Sequence, residues 1–178
     1  MDVPKEIDAK KVGDTQLEVE LRLPSETPIG PARFVVVTPE GETRETNSLL
    51  VLAAGSLVKE KEPNGGFRQA QEIPIGRPVL GAIQEANDVD VFRFTGQPGQ
   101  TIVAEILAAQ LGSALDGMLT LYDAGGHILA TNDDGPSGAD PELRVKLPAD
   151  GVYYLSVIDA QDKGGPTHVY QLTVRVEK

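Results

Sequence analysis

Asn87-Asp88-Val89-Asp90-Val91-Phe92-Arg93-Phe94 carries alternating character, with Asp88, Asp90, Phe92 and Phe94 on one side and Val89, Val91 and Arg93 on the other. Period-two alternation of this kind predicts a strand over Asp90 to Thr95, and it places both aspartates on the same side of the chain. Upstream, Glu60-Lys61-Glu62-Pro63-Asn64 concentrates further oxygen donors. Calcium takes six to eight oxygen ligands from carboxylates, amides and carbonyls, so Glu60, Glu62, Asn64, Asp88 and Asp90 together read as a split calcium site. A plainer reading of the same residues is also open. Glu60 to Gly66 could be a solvated linker closing on a Pro-Asn-Gly turn, and the two aspartates a loop pair capping a strand.

Outward from this stretch, short apolar segments punctuated by Gly, Pro, Asn and Asp recur to the end of the chain. They predict strands at Val79 to Ile83, Asp90 to Thr95, Thr101 to Ala108, Gly117 to Tyr122, Ile128 to Asn132, Glu142 to Leu147, Gly151 to Asp159 and Tyr170 to Glu177. Eight strands at this spacing imply an all-β, antiparallel sandwich resembling a jelly roll, over residues 58–178. Helix is scarce, with one turn expected at Gly66 to Glu72 and a short irregular excursion at Ala108 to Ala114.

Residues 1–55 form a separate unit. Leu17, Val19, Leu21 and Leu23 alternate with Glu18, Glu20 and Arg22, a half-buried strand. A second strand is expected over Ala32 to Thr38, then a turn at Pro39-Glu40-Gly41-Glu42 and a returning strand over Thr43 to Ala53. The run from Pro24 through Pro28-Ile29-Gly30 to Phe34-Val35-Val36-Val37-Thr38-Pro39 resembles the later strands of immunoglobulin-like, TIG-type domains. The resemblance implies a partial, three-stranded immunoglobulin-like sheet whose apolar face needs a cover.

Sixteen basic against 27 acidic residues give a net charge of −11, which opposes binding to a phosphate backbone and excludes nucleic acid as a natural partner. Zero cysteines exclude disulfides and thiolate metal sites. No apolar run approaches the roughly 18 residues of a membrane span, and the chain opens on a polar segment, so any targeting signal is expected outside this stretch.

Several features follow in an ordered series: Glu-x-Glu-Pro-Asn at residues 60–64, Gly81-Ala82-Ile83, Asp88-Val89-Asp90-Val91-Phe92-Arg93-Phe94 and Gly99-Gln100-Thr101. Further on come Leu119-Thr120-Leu121-Tyr122-Asp123, Gly126-His127-Ile128-Leu129-Ala130, Asn132-Asp133-Asp134 and Gly151-Val152-Tyr153-Tyr154-Leu155-Ser156-Val157. Over residues 58–178 the series resembles the bacterial pre-peptidase C-terminal domain, which is appended to secreted proteases and other exported proteins. The resemblance implies an antiparallel β-sandwich, a non-catalytic accessory role, and an extracellular, periplasmic or cell-surface location with other domains of a parent protein as partners. Collagen-binding relatives at the end of clostridial collagenases hold calcium near the linker entering the domain, which makes Glu60, Glu62, Asn64, Asp88 and Asp90 the candidate ligands. One departure stands out: Gly65 occupies a position where relatives often carry an acidic residue or Asn, so one oxygen is lost.

Strand alternation turns Tyr153 to one face with Leu155 and Val157, and Tyr154 to the other with Ser156 and Ile158. By resemblance, Tyr154 is the candidate contact for a collagen-like peptide, another protein or a polysaccharide. The alternative is that it simply covers a sheet edge. A second acidic cluster, Asn132-Asp133-Asp134 with Asp140 and Glu142, does not fit an EF-hand. Alignment on Asp134-Gly135 places Ala130 and Pro141 where carboxylates are required, and a polar hairpin loop is the better reading. The two histidines, His127 and His168, are expected in exposed loops with no ligand spacing around them. No Gly-x-Ser-x-Gly, His-Glu-x-x-His or phosphate-binding glycine motif occurs. The chain is therefore expected not to be an enzyme.

Overall fold

Strand alternation and its turns are realised as a two-layer sandwich in a computed structural model that describes residues 23–24, 26–28, 30–35, 37–38, 41–42, 47–51, 55–136 and 138–177. The strands are β1 (Gly30–Phe34), β2 (Val37–Thr38), β3 (Gly41–Glu42), β4 (Asn47–Val51), β5 (Val58–Lys59), β6 (Gln71–Glu72) and β7 (Val79–Ala82). They continue as β8 (Asp90–Gly96), β9 (Thr101–Leu107), β10 (Gly117–Tyr122), β11 (Ile128–Asn132), β12 (Glu142–Lys146), β13 (Gly151–Asp159) and β14 (Val169–Val176), with a 3-10 turn at Ala109–Leu111.

One five-stranded sheet has the order β11-β10-β13-β8-β6 and the other β12-β9-β14-β7-β5. All eight strands expected over residues 79–177 are present, with boundaries within about one residue, and they pair antiparallel. Each sheet gains one further strand, β5 alongside β7 and β6 alongside β8, and both of these pairs are parallel. At two residues each, Val58–Lys59 and Gln71–Glu72 are too short to show a period. Segment 66–72, expected as a helical turn, instead makes a backbone turn (Gln69 N–H to Gly66 O, 2.9 Å) and then enters β6.

Phe92, Phe94, Leu119, Leu121, Tyr153, Leu155 and Val157 project inward from the first sheet to meet Val79, Ile102, Ala104, Ile106, Leu172 and Val174 of the second. Each of the large side chains among them contributes about 1.5–3 kcal/mol on burial, which makes this interlayer contact the main source of stability. Val103 points away from that core yet is fully buried, being flanked in register by Arg144 and Arg175, whose aliphatic stems can lie over it.

In the N-terminal part, β1 and β4 pair antiparallel from Gly30↔Val51 to Phe34↔Asn47, and β2 and β3 from Val37↔Glu42 to Thr38↔Gly41. The strand expected over 32–38 is thus divided between β1 and β2, and of the returning strand expected over 43–53 the described residues 47–51 form β4. The strand expected over Gln16 to Leu23 lies outside the described residues, except Leu23. Arg77 ties the following linker to the sandwich through bonds to Gly55 O (2.7 Å) and Ser56 O (3.4 Å).

Candidate metal centre

The linker reaches the seam between the two sheets immediately after β5. Glu60 continues that strand's pairing, its N–H donating to Leu80 O (2.9 Å), while its Oε2 accepts the Ala82 N–H (2.8 Å). The chain then crosses from one sheet to the other through Glu62 and Asn64. The Asn64 N–H donates to Glu62 Oε2 (2.9 Å) and its Nδ2 to Glu60 Oε1 (2.8 Å). The carbonyl of Asn64 accepts Val91 N–H (3.0 Å), which fixes this loop against β8. At the head of β8, alternation turns Asp90 inward beside Phe92, where it is completely buried.

Glu60, Glu62 and Asp90 each present a carboxylate oxygen, and these atoms lie within 4.8 Å of one another. Asn64 completes the cluster through its bonds to both glutamates. Asp88 lies one loop turn away, with its Oδ2 accepting Gln84 N–H (2.7 Å); its negative charge nevertheless reaches Asp90. The sequence reading thus selected four residues that the fold gathers and a fifth that stands beside them.

Tyr170 was not anticipated. Its hydroxyl donates to Asp90 Oδ2 (2.6 Å) and approaches Glu60 Oε1 (3.2 Å) from β14 of the second sheet. The ring crosses β7 directly over Gly81, where a Cβ would stand 2.4 Å from both Cζ and the hydroxyl oxygen. A glycine inside a strand is the one sequence signal of such a close approach. Burial pushes the Tyr170 phenol well above its usual pKa, and the charges of Asp90 and Glu60 push it the same way, so Tyr170 remains a hydrogen donor.

Burial likewise pushes the Asp90 carboxyl up to about 9, helped by the adjoining Glu60 side chain and by the negative charges of Glu60 and Asp88, with the Tyr170 bond pulling the other way. Two oxygens of the cluster, Asn64 Oδ1 and Asp90 Oδ1, are buried without any hydrogen-bond partner. Leaving a buried acceptor unsatisfied costs about 1–3 kcal/mol, and such atoms are uncommon in folded proteins. Both belong to residues that already converge on Glu60 and Glu62, and the donor set is oxygen throughout. It is therefore suited to a hard cation such as calcium.

The other sequence candidates lie elsewhere. Tyr154 is half-buried on the outer face of the first sheet, in register with Tyr122 on β10 and Arg93 on β8, and Phe67 stacks on it (centroids 4.5 Å apart, planes 18° apart). His127 is exposed in its turn and paired with Asp123 (3.0 Å). His168 differs from expectation in being buried, because residues 164–168 fold back on the end of β7 through Gly165 N–H to Ile83 O and Ile83 N–H to His168 O. Gly164 permits this approach; a Cβ there would meet Glu85 O at 2.1 Å. In the second acidic cluster, Asp140 accepts the N–H groups of Ala108, Ala109 and Gln110, and the Asn132 amide bonds Glu142 O (2.9 Å). These are loop-holding roles. Among the described residues, Glu60, Glu62 and Asp90 make the one acid and histidine group at metal-holding spacing, and no helix is long and apolar enough to cross a membrane.

A Deinococcus radiodurans protein described as a probable subtilase-type serine protease is 40% identical over 115 residues, covering 61% of this chain and 16% of that protein. The chain thus spans about a sixth of the length of this curated relative. Among solved structures, the pre-peptidase C-terminal domain of a Bacillus anthracis collagenase superposes with a TM-score of 0.46 at 18% identity, covering 60% of this chain and 94% of that one. A periplasmic inhibitor of g-type lysozyme from Aeromonas hydrophila gives a TM-score of 0.44 at 14% identity, covering 68% and 97%. Residues 88–159, a segment that begins at Asp88, includes Asp90 and ends with β13, match the family model described as the bacterial pre-peptidase C-terminal domain.

Proposed function

We propose that this chain is a non-catalytic accessory part of an exported bacterial protein, in which calcium held by Glu60, Glu62, Asn64 and Asp90, with Asp88 beside them, fixes the linker to the sandwich. The pairing of two orphaned buried oxygens, Asn64 Oδ1 and Asp90 Oδ1, with three converging carboxylates carries this reading. The family match over residues 88–159 and the similarity to part of a subtilase-type protein support the accessory role and the exported location. The preceding strands are read as part of a TIG-type immunoglobulin-like sheet, connecting the sandwich to other domains of the parent protein.

In this reading Glu60 and Asp90 supply carboxylate oxygens from the two sheets, Glu62 a carboxylate and Asn64 a neutral amide oxygen from the crossing loop, and Tyr170 keeps Glu60 and Asp90 aimed at one point. Calcium would satisfy both orphaned oxygens and offset the mutual repulsion of the acids. The test is a thermal melt of chelator-treated protein with and without millimolar calcium, with magnesium as control. A ligand that binds the folded state at about 100 times its Kd stabilises it by about 2.7 kcal/mol. A selective rise in Tm with calcium that Asp90→Asn abolishes is expected; no rise, or an equal rise in the variant, overturns the assignment.

A second reading, a surface for a collagen-like peptide, another protein or a polysaccharide, draws on Tyr122 and Tyr154 lying side by side on the outer face. It requires Tyr154→Ala to abolish capture of such a ligand.

A further inference from the structure

The loop that carries Glu62 and Asn64 does not end at the metal centre. Its base is closed by Gln71, whose Oε1 accepts Lys61 N–H (2.7 Å) and whose Nε2 donates to Lys59 O (3.0 Å). Within it, Gly66 N–H returns to Asn64 O (2.8 Å) and Gln69 N–H to Gly66 O (2.9 Å), so the short path from Asn64 to Phe67 is folded into consecutive turns. Phe67 then lies on the outer face of the first sheet, stacked on Tyr154 and edge-on to Tyr122 (centroids 5.1 Å, planes 66°). Its seat also involves Gly126, where a Cβ would stand 3.2 Å from the ring. The loop is therefore held at two places, by buried oxygens on one side of β8 and by an aromatic cluster on the other.

We propose that Phe67 and Tyr154 are remote positioning residues of the cation site: occupation of the site and seating of Phe67 on Tyr154 favour the same closed loop and strengthen each other. This inference rests on the calcium reading above. Closing the loop buries Asn64 Oδ1 and Asp90 Oδ1 without partners, a cost that a cation removes; the aromatic stack opposes the same cost from the other end. Any group that favours the closed loop raises cation affinity, and by reciprocity the cation favours the stack. Calcium would thereby control how fully Tyr122 and Tyr154 are covered.

The experiment uses the whole chain with calcium alone as probe. Titration calorimetry compares the unsubstituted protein with Phe67→Ala, Tyr154→Ala and the double variant. Hydrogen exchange of amides 65–70 is followed in unsubstituted protein with chelator and with calcium, a measurement that requires no variant to fold. Aromatic pair energies predict that each single substitution weakens calcium binding by about three- to tenfold, and that the double variant is no weaker than the weaker single. Calcium should slow exchange across 65–70 in the unsubstituted protein. A lowered Tm in chelator with calcium Kd unchanged within about twofold would make the stack merely structural and overturn the coupling, as would exchange insensitive to calcium in a protein that binds it. Failure of the unsubstituted protein to bind calcium overturns the calcium reading as well.

Discussion

Replacing Asp90 with asparagine should make the metal-free protein more stable at alkaline pH while removing the calcium response that the proposed site requires. Asp90 is completely buried, and its carboxyl is pushed up to about 9, whereas in the unfolded chain it titrates near 3.9. Across the interval between those values the folded protein holds a proton that the unfolded chain has released. The stability due to Asp90 is therefore complete below pH 4 and is lost progressively as pH rises toward 9. At about 1.4 kcal/mol per pH unit for one proton, the metal-free protein loses about 3 kcal/mol between pH 6 and pH 8 on account of this residue. For a chain of this size that corresponds to about 6–12 °C in Tm.

Asn at this position needs no proton, and its carbonyl can still accept the Tyr170 hydroxyl bond. The variant should therefore show a flatter pH profile in chelator and melt above the parent at pH 8. Calorimetric melts at pH 6, 7 and 8, with chelator and with calcium, read both effects. Taking the difference between parent and variant removes the titrating groups that do not interact with Asp90 and leaves the response of Asp90 together with its neighbour Glu60. A parent protein whose metal-free Tm is the same at pH 6 and 8, or a variant that keeps the parent's slope, would refute the placement of a protonated Asp90 beside Glu60.

Two further substitutions examine how the fold supports the site. Gly81→Ala sets a methyl against the Tyr170 ring at 2.4 Å and should cost about 1–3 kcal/mol in urea unfolding while weakening calcium binding, because the hydroxyl is displaced from Glu60 and Asp90. Asp140→Ala strands three backbone N–H groups at the 3-10 turn, so it should cost about 2–4 kcal/mol in the same assay and leave calcium affinity unchanged.

The sandwich was legible wherever the chain is long enough to repeat its pattern. In β13, Tyr153, Leu155 and Val157 alternate cleanly and all three are buried, and Phe92 and Phe94 do the same in β8. The pattern gives no purchase on β5 and β6, whose positions are set by parallel pairing at the sheet edges rather than by their own residues. The acids were visible because oxygen donors were concentrated in two short stretches, whereas the complete burial of Asp90 follows from its place at the head of β8 against the second sheet. Tyr170 was not visible, since its bond to Glu60 spans 110 residues of sequence. Burial of His168 was hidden for a related reason: a Gly-Gly-Pro loop reads as exposed, and only its return onto Ile83 and Glu85 encloses the histidine.

The location of the acid cluster gives its charge state a mechanical meaning. The linker is held to the sandwich by two kinds of clamp. Arg77 grips the carbonyls of Gly55 and Ser56, a contact indifferent to the cluster's charge. The second clamp begins at Glu60, one residue past β5, and joins Ala82 on one sheet to Asp90 and Asn64 on the other. Like charges across that seam oppose its closure unless a proton or a cation offsets them, and the interior strengthens the repulsion because fewer water dipoles screen it. Loss of that compensation acts first on the two-residue strand β5 and on the crossing loop, which lie at the seam, while the core between Phe92, Leu155 and Leu172 is held by apolar packing and strand pairing that do not depend on the cluster's charge. A domain built this way can change the firmness of its connection to what precedes it without changing its fold.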